Sequence, residues 1–133
     1  MHELSIATAV VESADEAARR HGATAVESVR LRVGELAGVV PDALRFSFEL
    51  AAEGTALAGA RLLIEDVPAR ARCARCPDAF AVGSPPRLEC PDCGGPAAEL
   101  LTGRELEIAA VTLPEPAAAA TGGTPPPPRG GLP

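Results

Sequence analysis

"CARCPDAFAVGSPPRLECPDCGG", residues 73–95, sets Cys73, Cys76, Cys90 and Cys93 in a C-x2-C-x13-C-x2-C array. A gap of two residues lets both thiolates of a pair reach one ion. The long loop between the pairs then folds back to close a tetrahedral four-sulfur cage. Pro91 fixes the entry to the second turn, and Gly94 can take the left-handed conformation that turns backbone N–H groups toward sulfur. The spacing predicts a closed zinc site that folds its own lobe and does no chemistry. Iron suits the same four-sulfur donor set. A redox dithiol fits less well, because the paired motifs lie on a loop and lack the strand–helix setting of thioredoxin-like sites. Arg70, Arg72 and Arg75 are expected to offset the surplus charge of four thiolates on one divalent ion.

The segments on either side of this loop carry regular periodicities. Residues 3–21 place Leu4, Ala7, Val11, Ala14 and Ala18 at helical spacing, with Gly22 as a stop and Arg19, Arg20 and His21 at the negative end of the dipole. In "VESVRLRVGEL" (26–36), Val29, Leu31 and Val33 alternate with Ser28, Arg30 and Arg32, the mark of a half-buried strand that Gly34 breaks. Glu35 then reads as a strand-end surface residue. "PDALRFSFELAAEG" (41–54) predicts a second helix, with Pro41 in its first turn and Leu44, Phe48 and Ala51 on one side. "ARLLIEDVPARARC" (60–73) reads as a second strand weakened at Pro68, and "ELEIAAVTL" (105–113) as a third, with Leu106, Ile108 and Ala110 against Glu105 and Glu107. The order predicts an α+β fold in which a small sheet of about three strands packs with two helices, beside a zinc-binding lobe. The expected division is an α+β domain of 1–70 and 104–113, a lobe of 71–103, and a disordered Pro/Ala/Gly-rich tail of 114–133.

Composition narrows the function. The 133 residues carry a net charge of −6 with no lysine, and only 2% are aromatic. An acidic chain of this kind is a poor binder of nucleic acid, which usually needs a basic face. No run approaches a membrane span, and no signal peptide is visible at the start. Both point to a reducing cytoplasm, where four cysteines serve as metal ligands rather than disulfides. The core must be thin, since it has only Leu, Val, Ile and three Phe to draw on.

The chain opens "MHEL". A histidine at position 2 can chelate through the terminal amine, its own backbone nitrogen and its imidazole, and the Glu3 amide or carboxylate can fill a further position. Such nitrogen-rich ligation suits Ni(II) or Cu(II) better than zinc. Residue type alone leaves a second reading open, that His2 merely belongs to an untethered end. Taken together, "MHELSIA" (1–7), "VRLRVGEL" (29–36), "FSFELAAEGT" (46–55) and the cysteine array followed by "GRELEI" (103–108) resemble HypA, the hydrogenase nickel-incorporation proteins. The resemblance runs over residues 1–113. It implies a metallochaperone and not an enzyme: nickel as cargo at Met1, His2 and Glu3, and structural zinc at Cys73, Cys76, Cys90 and Cys93. It further implies a HypB-type GTPase and the [NiFe]-hydrogenase large subunit as partners, with urease and its maturation proteins as clients in some members. "PPRLEC" (85–90) departs from the aromatic the family often carries there, and the Pro-rich tail is also unusual. Neither departure touches an expected ligand. The rival reading is a zinc ribbon that binds protein or nucleic acid.

Overall fold

Among the described residues two separate hydrophobic clusters organise the fold, one of fourteen buried residues around the helices and one of six around the cysteines. The computed structural model describes residues 2–114. Met1 and residues 115–133, where a disordered tail is expected, lie outside the described residues.

Helix α1 (Glu3–Arg20) buries Ala7, Val10, Val11, Ala14 and Ala18. At its end the His21 ring donates from Nδ1 to the Ala17 carbonyl at 2.9 Å, satisfying one of the orphan acceptors of the last turn. Leu4 was expected on the buried face but is 52% exposed, while Glu3 is only 5% exposed. The apolar arc is centred on Ala7, Ala14 and Ala18, which leaves Leu4 on its flank and turns Glu3 inward.

Strand β1 (Ser28–Gly34) lies at the centre of the first sheet, with β2 (Arg61–Val67) parallel on one side and β6 (Leu106–Thr112) antiparallel on the other. Helix α2 (Pro41–Ala52) packs beside α1 and buries Leu44 and Phe48. This is the expected sheet of three strands with two helices. Val29, Leu31 and Val33 face the helices, and on the other face Arg32 bridges Glu65 at 3.6 Å and Glu107 at 2.9 Å. The alternation expected for β6 holds for only half of the strand. A bulge shifts its register opposite Arg30 and Leu31, so Ile108 and Val111 pack on the core while Ala110 is exposed; Leu106, in phase with Ile108, is exposed at the first position of the strand. One extra residue reverses the phase of a period-two pattern.

The strand expected over 60–73 is two strands. β2 ends at Val67, Pro68 cannot donate to a ladder, and β3 (Arg70–Cys73) joins a different sheet. In that second sheet β3 is central, antiparallel to both β4 (Ala79–Ala81) and β5 (Ala97–Thr102). Ala69, Ala71, Cys73, Phe80, Val82 and Cys90 form its core.

The chain passes between the sheets twice, at Pro68–Ala69 and at Gly103–Glu105. The segment after β1 grips both crossings. The Gly34, Glu35 and Leu36 N–H groups donate to the carbonyls of Glu105 (2.7 Å), Val67 (2.9 Å) and Gly103 (2.7 Å). Glu35 is therefore not a simple surface residue: its Oε1 accepts the N–H of buried Ala69 at 2.8 Å. A Cβ on Gly34 would stand 2.2 Å from the Gly103 carbonyl carbon and oxygen, so only glycine fits.

Candidate metal centre

β3 delivers Cys73 at its last position, and the following turn places Cys76. The second pair sits in a tight turn in which Cys90 N–H donates to Gly95 O and Gly94 N–H to Cys90 O, both at 2.8 Å. Gly94 has φ +71°, the left-handed geometry expected of it. Ala74 N–H donates to Pro96 O at 3.2 Å and ties the two turns together.

The four Sγ atoms all lie within 4.8 Å of one another. Cys73 and Cys93 are 3.5 Å apart, and Cys76 and Cys90 4.0 Å. Both separations far exceed a disulfide bond, which is about 2.05 Å. They bracket the spacing of about 3.8 Å that follows from four sulfurs placed tetrahedrally at about 2.3 Å from one zinc. The donor set therefore fits a four-thiolate metal. Among the described residues these cysteines are the only group of three or more His, Cys, Asp or Glu side chains close enough to share an ion.

The surrounding backbone favours negative sulfur. Arg75 and Cys76 N–H groups both donate to Cys73 Sγ at 3.3 Å, and Gly95 N–H donates to Cys93 Sγ at 3.4 Å. The Cys76 and Arg75 amides push the Cys73 thiol down to about 6. Hydrogen bonding with the Cys93 and Cys73 sulfurs pushes Cys76 up to about 12. A thiolate at Cys73 is readily accommodated, but one at Cys76 beside it meets like charge. A cation among the sulfurs removes that penalty.

The three arginines do not act as a set. Arg72 pairs with Glu99, its cross-strand neighbour on β5. The Arg75 side chain runs beside the cage, close enough that a Cβ on Gly95 would meet Arg75 Cδ at 3.4 Å and Cys93 Sγ at 3.2 Å.

At the other end, His2 is the exposed N-cap of α1 and makes no side-chain capping bond; its carbonyl accepts Ile6 N–H at 3.1 Å. Glu3 does structural work that the sequence reading missed. Its Oε2 accepts the N–H of Val40, the N-cap of α2, at 3.0 Å, tying the starts of the two helices together. A hydrogen bond with the chain's amino terminus, and then those from Val40 and its own N–H, hold the Glu3 carboxyl down at about 2. The structure thus sets His2 next to an anchored Glu3, and Met1, the third expected nickel ligand, lies outside the described residues. Glu35, read from sequence as a strand-end surface residue, and Glu105, read only as a polar strand position, instead accept the N–H groups of Ala69 and Gly103; the signal for both was that each closely follows a glycine, Gly34 and Gly103.

A family model described as hydrogenase/urease nickel incorporation, metallochaperone, hypA matches residues 1–113. A "Hydrogenase maturation factor HypA" from Streptomyces avermitilis is 60% identical over 112 residues, 84% of this chain and 86% of the relative. One from Chloroflexus aggregans is 49% identical over 114 residues, 86% of this chain and 100% of the relative. The solution structure of the Ni metallochaperone HypA from Helicobacter pylori shares the fold, with a TM-score of 0.59, 21% identity, and coverage of 85% of this chain and 97% of that one.

Proposed function

The chain belongs to the HypA family of nickel-incorporation metallochaperones that serve hydrogenase maturation, and from that premise we propose that it carries one Ni(II) at Met1, His2 and Glu3. In this reading the four cysteines hold zinc, the protein works in the cytoplasm, and it carries a metal rather than catalysing a reaction. Nickel passes, with a HypB-type GTPase as partner, to the large subunit of a [NiFe]-hydrogenase; urease is the other client that the family description admits. Among the described residues no helix is long and apolar enough to cross a membrane.

The observation that carries the nickel reading is the contrast between the two centres. The cysteine cage is built into a sheet with backbone amides aimed at sulfur, so it holds its ion. His2 stands exposed at a helix start that Glu3 anchors. A site there is fixed in place yet open to ligand exchange, as a donor of cargo must be. Zinc at the cage contributes folding free energy to the lobe, and four protein thiolates leave no open position for chemistry.

Isothermal titration with Ni(II) tests the reading on three zinc-loaded proteins: native, His2→Ala, and native extended by one residue ahead of Met1. Native protein is expected to bind one nickel. His2→Ala should lose that binding with zinc content unchanged, and the extension should weaken it severely by moving the free amine. Unaltered binding by His2→Ala would place the nickel elsewhere and overturn the assignment.

A further inference from the structure

The three links that join the cysteine lobe, the β1–α2 segment and the amino terminus form one continuous line. Cys73 closes β3; the residue before β3, Ala69, donates its buried N–H to Glu35; and the segment that begins with Glu35 ends at Val40, whose N–H is held by Glu3. Within that segment, Ala37 N–H donates to Gly34 O at 3.0 Å, and the Leu36 side chain packs against the lobe core rather than the helices. The segment therefore touches both crossings between the sheets at one end and the first turn of α1 at the other.

We propose that Gly34–Val40 is a strap that fixes the cysteine lobe relative to the amino terminus, and that Glu35 is its lock, a positioning residue for the nickel site at His2. The proposal rests on the assignment of nickel to the amino terminus. The reason for singling out Glu35 is that the other bonds of the grip are between backbone groups, which side-chain replacement leaves in place. Ala69 N–H depends on a side chain. It follows Pro68, which has no N–H, and Ala69 is fully buried, so without the Glu35 carboxylate a buried donor is orphaned. Glu105 does the same at the other crossing, where its Oε1 accepts Gly103 N–H at 2.8 Å. Each crossing is thus closed by one glutamate, but only Glu35 lies on the segment that continues to Val40. Removing it takes away the one side-chain bond of the grip and loosens the strap on its Ala69 side, and that slack reaches the Val40 N–H that holds Glu3 beside His2. A chelate whose ligands must first be ordered binds more weakly.

The test uses the full zinc-loaded chain and the variants Glu35→Ala, Glu35→Gln and His2→Ala. Residual dipolar couplings report the relative orientation of the two sheets, and Ni(II) titration reports the site. Glu35→Ala is expected to average the inter-sheet orientation, speed exchange of the Ala69 amide, and weaken nickel binding roughly ten-fold, within the usual range of coupling between sites. One zinc per chain should remain. Glu35→Gln should restore both orientation and affinity, because its amide oxygen accepts the same N–H. Native orientation in Glu35→Ala overturns the strap, and so does native nickel binding in Glu35→Ala beside a loss in His2→Ala. Native binding by His2→Ala overturns the amino-terminal assignment and the positioning role with it.

Discussion

Glu105 shows how much one side chain does at a crossing between sheets. Hydrogen bonds from its own N–H and from Gly103 N–H hold its carboxyl below the usual carboxylate range. The depressed value makes the charged form more favourable in the folded chain than in the unfolded one. Its contribution is therefore present above the unfolded carboxylate pKa and is lost as pH falls through the folded value. Glu105→Gln should flatten the acid side of the stability–pH curve, measured by denaturant unfolding at a series of pH values; an unchanged slope would show that Glu105 adds nothing to it. Gly34 sets a stricter limit, since a Cβ there would stand 2.2 Å from backbone that cannot move independently. Gly34→Ala should cost about 3 kcal/mol, the upper end of ordinary overpacking, read from the same unfolding curves. At the cage, proton and metal compete for the same sulfurs, so acidification should release a bound ion, as metal analysis after dialysis at low pH would show.

The elements differ in how plainly the sequence declares them, and the differences have physical causes. α1, α2 and β1 were legible because each buries one face against a single partner layer, which leaves a clean period of 3.6 or 2. β6 was legible in place but not in phase, because its bulge opposite Arg30 and Leu31 is fixed by pairing with β1 and leaves no local mark. β3 was hidden inside a longer apparent strand: the apolar Leu62–Ile64 and the alternating Ala69–Cys73 both look strand-like and adjoin, and Pro68 marks a change of sheet rather than a weak point. β4 and β5 escaped altogether, β4 because it has only three residues and β5 because none of its six is fully buried. The cage itself was fully legible, since C-x2-C spacing is set by chelation and not by the surrounding sheet. Because β3 ends on Cys73, the lobe's strands and a metal held by the four cysteines would stand or fall together. Cys90→Ser should lose the zinc and make residues 73–93 sensitive to protease, as read by metal analysis and limited proteolysis; full zinc content in that variant would argue against a four-sulfur site.

Across the whole molecule the two cores are unequal, and the inequality determines what metal removal does. The first core has fourteen buried residues, among them Leu31, Leu44, Phe48 and Leu57. The second has six, of which two are alanine and two are cysteine. Only Phe80 and Val82 there belong to the class worth roughly 1.5–3 kcal/mol on burial. A closed zinc site contributes on the order of 10–16 kcal/mol in small zinc domains near neutral pH. The metal term therefore dominates the lobe and is minor for the helical layer, which shares no ligand with it. Chelation should accordingly open the molecule in one place: amides of β3, β4 and β5 should lose protection from hydrogen exchange, while those of β1 and α1 keep theirs. The clasp at Gly34, Glu35 and Leu36 sits at the boundary, bonded to Val67 and Ala69 on one crossing and to Gly103 and Glu105 on the other. Its amides should take an intermediate rate, because loosening the lobe removes the Leu36 packing but leaves the Val67 carbonyl in place. Uniform loss of protection throughout the chain would mean that the two cores fold as one cooperative unit and that the grip between the sheets outweighs the difference in their size.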